Sequence, residues 1–200
     1  GRPVDLEKYW FSHGGITIQA NLTDLGIDYL RRGQIEHGLR ALFNNFGASL
    51  YADVRVFTEH PVVELGHGVG PFYKTSDEAK ALVWLRAFLL WEEDDELHLG
   101  KGAPRAWYAP GQAFELRKMA SHFGPVTYRI ESGDAEVGAI IELDAERRPS
   151  VVVLHVRRSA GSGQIRAVEV NGKTHSDFDA GTETIRISDP DSSLAVRVLF

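Results

Sequence analysis

Two hydrophobic periods divide the chain. Up to about residue 95 the apolar residues recur every three or four positions, and beyond it they alternate with polar ones. The stretch from Asn21 to Arg32 opens on cap-type residues and closes on Arg31-Arg32 before Gly33, the start and stop signals of a helix. From Gln34 to Leu50, the residues Ile35, Leu39, Leu42, Phe43, Phe46 and Leu50 draw one apolar face of a second helix. The link at Gly33 is short enough to make this pair an antiparallel hairpin. Thr75 and Glu78 stand at capping-box spacing, with Asp77 adding negative charge to the first turn. From Ala79 to Trp91 the apolar stripe is wide enough to bury this third helix on more than one side. Acidic charge disfavours a helix C-terminus, so Glu92-Glu93-Asp94-Asp95 marks its end.

Eight alternating runs follow. They begin at Glu96, Ala113, Val126, Val137, Val151, Ile165, Thr184 and Leu194. Pro110-Gly111, Ser132-Gly133, Gly161-Ser162-Gly163 and Asn171-Gly172 punctuate them, and the last pair is the strongest hairpin signal. The expectation is an α+β chain with segregated halves. Residues 1–95 form helical hairpins and residues 96–200 an antiparallel β-sandwich.

Composition narrows the function classes. A net charge of −6 with no clustered basic face argues against nucleic acid. The pairs Arg31-Arg32, Arg147-Arg148 and Arg157-Arg158 read as solvated surface charge. With no cysteine there are no disulfides and no thiolate metal sites. No run of 18 apolar residues occurs, so no membrane span is expected. The opening Gly1-Arg2-Pro3-Val4-Asp5 lacks an initiator methionine and the apolar core of a signal peptide, so the chain reads as a mature or engineered form or a piece of something longer.

Several segments carry a resemblance. They are Phe72-Tyr73-Lys74-Thr75-Ser76, Trp84 to Glu92, Leu97-His98-Leu99, Ala103 to Trp107, Phe123 to Tyr128, and Val168-Glu169-Val170-Asn171-Gly172-Lys173. From about Tyr9 to Phe200 the chain resembles the C-terminal end of bacterial glycoside-hydrolase-like proteins built on an α/α toroid. The last toroid helices of those proteins feed into a C-terminal β-sandwich. The resemblance implies that residues 1–95 are toroid-type hairpins and that this chain belongs to a longer carbohydrate-active parent. It implies an oligo- or polysaccharide partner, the missing helical part of the parent or a second copy as a further one, and a periplasmic or secreted setting, with the cytoplasm open. The alternative is a non-catalytic module that binds glycan or docks a partner.

The densest chemistry lies between Phe57 and Tyr73. Glycines and Pro61 there forbid a regular helix or strand, which makes the segment a loop. Glu59 and Glu64 are the candidate catalytic pair, because glycosidic hydrolysis uses two carboxyls, one as acid and one as base or nucleophile. Phe57, Phe72 and Tyr73 could wall a pocket that raises the acid's pKa. The resemblance would set this stretch near the saccharide cleft, with Glu59 acting or binding sugar hydroxyls. A structural hydrogen-bonding role in a glycine-rich loop stays open for both. His60 and His67, with Glu64 between them, have helix-type metal spacing, but the glycines and Pro61 remove the helix, so they read as hydrogen-bonding or sugar-contacting groups and no metal or cofactor is expected. His13, beside Gly14-Gly15, and Gln19 complete the substrate-binding candidates together with Tyr73. Trp84 reads as core, Trp91 and Trp107 as interface residues, and His155 as a packed histidine.

Overall fold

A computed structural model of the chain describes residues 24–51, 56–57, 60–62, 67–69, 75–158, 161 and 163–200. The chain divides into two compact units, Gly1–Phe88 and Leu89–Phe200.

In the first unit the helices are α1 (Leu25–Arg31), α2 (Ile35–Ser49) and α3 (Thr75–Leu89). Helix α1 ends as its sequence requires. Gly33 takes φ 70°, its N–H reaches the Leu30 carbonyl at 3.0 Å, and the Gln34 N–H reaches the Tyr29 carbonyl at 2.8 Å. That pair of bonds is a Schellman stop, and it turns the chain straight into α2. Leu30, Leu39, Leu42, Phe46, Trp84, Ala87 and Phe88 are buried. The Trp84 ring meets Phe46 edge-on at 5.2 Å, and Phe46 meets Phe57 at 5.6 Å. Between α2 and α3 run short strands: β1 (Leu50–Tyr51) pairs with β2 (Val56–Phe57), and β3 (His60–Val62) with β4 (His67–Val69).

The toroid expectation is overturned. The described residues hold three α-helices and fifteen strands, so the chain is mostly β and not an array of toroid-type helical hairpins. Helices α1 and α2 follow each other directly as a hairpin, whereas the chain between α2 and α3 turns to strand pairing. The third helix is also buried on one side only. Its inward positions include Trp84, Ala87 and Phe88, whereas Leu82, Val83 and Leu85 are exposed. At 3.6 residues per turn those two sets fall on opposite faces. It ends at Leu89, short of the acidic run, because Leu90–Glu93 leaves the helix to pair with the next strand.

The second unit is two sheets across one core. Strands β5 (Leu90–Glu93), β6 (Glu96–Leu99), β10 (Val151–His155), β13 (Phe178–Asp179) and β14 (Thr184–Ser188) form a five-stranded sheet in the order β13-β14-β10-β6-β5. Strands β7 (Ala113–Ser121), β8 (Gly124–Ser132), β9 (Glu136–Glu142), β11 (Ala167–Val170), β12 (Lys173–His175) and β15 (Ser193–Leu199) form a six-stranded sheet in the order β12-β11-β15-β9-β8-β7. Alternation puts Leu97, Leu99, Val152, Leu154 and Ile185 of the first sheet into one cluster with Tyr128, Ile130, Ile141, Val196 and Val198 of the second. Each of the eight alternating runs contains a strand. The sheets are not wholly antiparallel as expected, because β6 and β10 pair in parallel, Glu96 opposite Val151 through Leu99 opposite Leu154.

One basic pair departs from its reading as surface charge. Arg157 and Arg158, on the segment leaving β10, are buried where carbonyls of the connections after β6 and after β8 accept from them. Arg157 donates to the Ala103 carbonyl at 2.7 Å, and Arg158 donates to the Asp134 carbonyl at 2.9 Å while stacking over Phe200 at 4.6 Å.

Asn171 and Gly172 turn β11 into β12 with φ values of 50° and 73°, the two positive angles of a primed hairpin turn. The Asn171 side-chain oxygen also accepts from the Ala195 N–H at 2.8 Å, tying the turn to β15. Asn171→Ala removes that acceptor and forces an alanine to positive φ. We expect a loss of about 2 kcal/mol, read from the urea midpoint of the sandwich; an unchanged midpoint would refute it.

Candidate functional site

Most of the sequence-derived site lies outside the described residues: Glu59, Glu64, His13, Gln19 and Tyr73. His60 and His67 are placed by their backbone. The segment that carries them is not an unbroken loop but contains the β3–β4 ribbon, with His60 opposite Val69, Pro61 opposite Gly68 and Val62 opposite His67. Proline is tolerated here because a two-stranded ribbon leaves half of its N–H positions facing outward. Glu59 immediately precedes β3 in the chain, and Glu64 falls in the short connection between β3 and β4. Of the three aromatic residues expected to wall the pocket, Phe72 and Tyr73 lie outside the described residues, and the Phe57 ring meets Phe46 edge-on at 5.6 Å. The Phe57 N–H lies 3.5 Å from Oε1 of Glu78, the residue read as half of a capping box.

A second set of ionisable groups comes together on the five-stranded sheet. Leu97 and Leu99 point into the core, so Glu96 and His98 point out of it. On β10, Val152 and Leu154 are core, which sends His155 to the same side as His98. The parallel register then brings the two imidazoles together, with His98 Nδ1 3.0 Å from His155 Nε2 and ring centroids 5.3 Å apart. From β14, Arg186 grips both oxygens of Glu96 at 2.5 and 3.2 Å. Lys101, just past β6, lies 3.7 Å from Glu93 and 5.0 Å over the Trp91 ring.

The electrostatics follow from this packing. Burial pushes His155 down to about 3, helped by His98, Lys101 and Arg157. Burial also lowers His98, with Lys101 adding to the effect and Glu96 opposing it. The Arg186 hydrogen bond holds the Glu96 carboxyl below its ordinary value against the cost of burial. Burial lowers the Lys101 ammonium, and Glu93 partly restores it. Two facing imidazole nitrogens at hydrogen-bond distance can hold one proton between them. Glu96 Oε2 lies 3.4 Å from His98 Nε2, so the carboxylate favours the proton on that nitrogen. His98 Nδ1 is then the acceptor and His155 Nε2 the donor. Among the described residues, no group of three or more His, Asp, Glu or Cys side chains could hold a metal ion.

Sequence reasoning missed this cluster. Alternation alone gives the shared outward side of Glu96 and His98. Their meeting with His155 depends on a parallel pairing across more than fifty residues, which no local signal encodes.

No protein-family model matches the chain. No curated protein matches it either. Among solved structures it is similar to a GH127 β-L-arabinofuranosidase from Geobacillus stearothermophilus T6, at 15% identity and a TM-score of 0.40 over 88% of this chain and 30% of that one. A structure described as a glycoside hydrolase matches at 9% identity and a TM-score of 0.44, over 88% of this chain and 32% of that one. A GH127 β-arabinofuranosidase matches at 11% identity and a TM-score of 0.43, over 84% of this chain and 28% of that one. The chain spans less than a third of the length of each of these three structures, and the activities in their names are those of the other proteins.

Proposed function

We propose that the chain is the sandwich-bearing part of a longer carbohydrate-active, glycoside-hydrolase-like protein, in which residues 57–73 line a saccharide cleft. The observation that supports this reading is the passage of α3 into β5 without a linker, the helix ending at Leu89 and the first strand of the sandwich beginning at Leu90. A helix that feeds directly into a two-sheet unit is the kind of junction implied by the resemblance from about Tyr73 to Ser132.

In this reading Glu59 and Glu64 supply the acid and the base or nucleophile, and His13, Gln19, His60, His67 and Tyr73 hold the sugar. A carboxyl that donates a proton to a leaving oxygen must stay protonated near neutral pH, which an apolar wall achieves by penalising its ionised form. An imidazole can accept from one sugar hydroxyl and donate to another.

The test uses the longest natural form of the protein. Glu59→Gln and Glu64→Gln each keep size and hydrogen bonding but cannot ionise. Turnover of glycosides should fall on the order of a hundredfold or more, with saccharide binding by calorimetry retained. Full turnover in both variants would remove the carboxylates from the chemistry. A protein with no affinity for plant or bacterial glycans would rule out the reading as a whole.

A further inference from the structure

We propose that the His98–His155 contact is an acid-released latch that holds the β5–β6 hairpin against β10. Within the five-stranded sheet, β5 is the edge and touches only β6, so the ladder from this hairpin to the other strands runs through β6 and β10. That ladder is parallel and only four residues long, the weaker kind of pairing and a short one. Side chains reinforce it along its length. At its start the Ser150 hydroxyl donates to Asp95 and the Ser150 N–H reaches the Asp95 carbonyl at 3.0 Å. At its first pair, Glu96 opposite Val151, the Glu96 carboxylate reaches across to Arg186 on β14. At its far end stand the two histidines.

The last tie depends on protonation. One proton between His98 Nδ1 and His155 Nε2 makes a hydrogen bond. A second, taken up on His98 Nδ1, leaves two N–H groups facing each other at 3.0 Å with the His98 ring now positive. The surrounding charge does not absorb it well. Glu96 faces His98 from its own strand, but Arg186 already holds both of its oxygens. Lys101 stands near both rings from the turn after β6, with Glu93 of β5 as its counter-ion, and Arg157 approaches His155 from the segment after β10. The Tyr108 hydroxyl donates to the His155 carbonyl at 2.7 Å and fixes that residue in place. Protons therefore bind the open hairpin better than the closed one.

The sign follows directly. In the closed state both histidines lie below the ordinary value of 6.5, and in the open state they return to it. Opening is insensitive to pH above that value and grows as pH falls beneath it. Between pH 7.5 and 5.0 a histidine that stays neutral when closed raises the opening equilibrium about thirtyfold. In that window Glu96, held below its ordinary value by Arg186, is still ionised, so Glu96–Arg186 holds.

Amide hydrogen exchange of the whole chain reads this, corrected for the intrinsic pH dependence. Protection over residues 90–99 should fall by about thirtyfold or more on going to pH 5.0, with residues 124–142 of the six-stranded sheet unchanged. The H98Q/H155Q double variant should lose the pH-dependent part. Imidazole nitrogen-15 spectra of the unsubstituted protein at pH 7.5 give a second readout, a coupling between the two ring nitrogens through one shared hydrogen. Equal loss of protection in both sheets, or pH dependence that survives the double substitution, overturns the latch. Should the variant fail to fold, a missing coupling in the unsubstituted protein overturns it alone.

Discussion

Trp84→Ala is expected to cost the helical unit about 3–5 kcal/mol, the largest stability effect among its side chains. The ring is fully buried and crosses Phe46 edge-on at 5.2 Å, while Phe46 in turn meets Phe57. It therefore joins α3 to α2 and to β2. It also fills the space against Gly26, where a Cβ would lie 2.4 Å from the indole, so α1 closes onto this ring because residue 26 has no side chain. The indole N–H has no hydrogen-bond partner among the described residues, so the substitution removes packing and cavity filling, not a polar contact. Trp84→Phe should accordingly recover a large part of the loss. Urea denaturation followed by helical circular dichroism measures both. A loss under about 1 kcal/mol for alanine would show that the unit does not depend on this ring.

The helices were legible because their signals are local. Gly33 after Arg31-Arg32 announced the stop that the Schellman bonds make, and the spacing of Leu39, Leu42 and Phe46 drew the face that is buried. The same local reading overreached at α3. Leu82, Val83 and Leu85 are apolar, but apolarity does not say what covers a face, and these three are exposed. The acidic run was misassigned for a related reason. Glu92 and Glu93 are strand residues and Asp94 is a turn residue at φ 51°, so the charge that disfavours a helix end also suits a tight turn. The toroid came from resemblance and not from periodicity, and strand pairing between residues 50 and 69 contradicts it. Alternation located the sandwich strands but could not order them, because pairing is a long-range choice settled by the whole core. His155 shows both sides of this. It is a packed histidine, as its apolar strand suggested, but its ring partner lies 57 residues away. Sequence alone could name Glu59, Glu64, His60 and His67 as chemically apt. It could not foresee that β3 and β4 would pair, which puts the two histidines into one ribbon.

Gly100→Ala should destabilise the sandwich by about 3–5 kcal/mol, whereas Gly172→Ala should cost only about 1 kcal/mol. The two glycines have nearly the same backbone, φ 71° and φ 73°, so an alanine pays a similar conformational penalty at each. Their surroundings differ. A Cβ at Gly172 would meet nothing within 4 Å. At Gly100 it would lie 2.6 Å from the Tyr108 hydroxyl oxygen and 3.3 Å from the His155 carbonyl. Tyr108 cannot easily retreat. It is fully buried, its ring meets Phe114 at 5.3 Å, and its hydroxyl is committed to the His155 carbonyl. An alanine must either displace that hydroxyl, leaving a buried donor and acceptor apart, or push the chain after β6 away from the Leu89 carbonyl that the Gly100 N–H now reaches at 2.8 Å. Either route adds overpacking and a lost buried hydrogen bond to the shared backbone strain. Parallel urea titrations of the two variants separate the contributions. If they lose the same amount, strain at positive φ accounts for everything and the crowding around Tyr108 is relieved at no cost. If Gly100→Ala alone shows the large loss, the junction of β6, Tyr108 and His155 is as rigid as its contacts imply. The same variant should then also disturb the shared imidazole proton, since the carbonyl anchored by Tyr108 belongs to the residue that donates it.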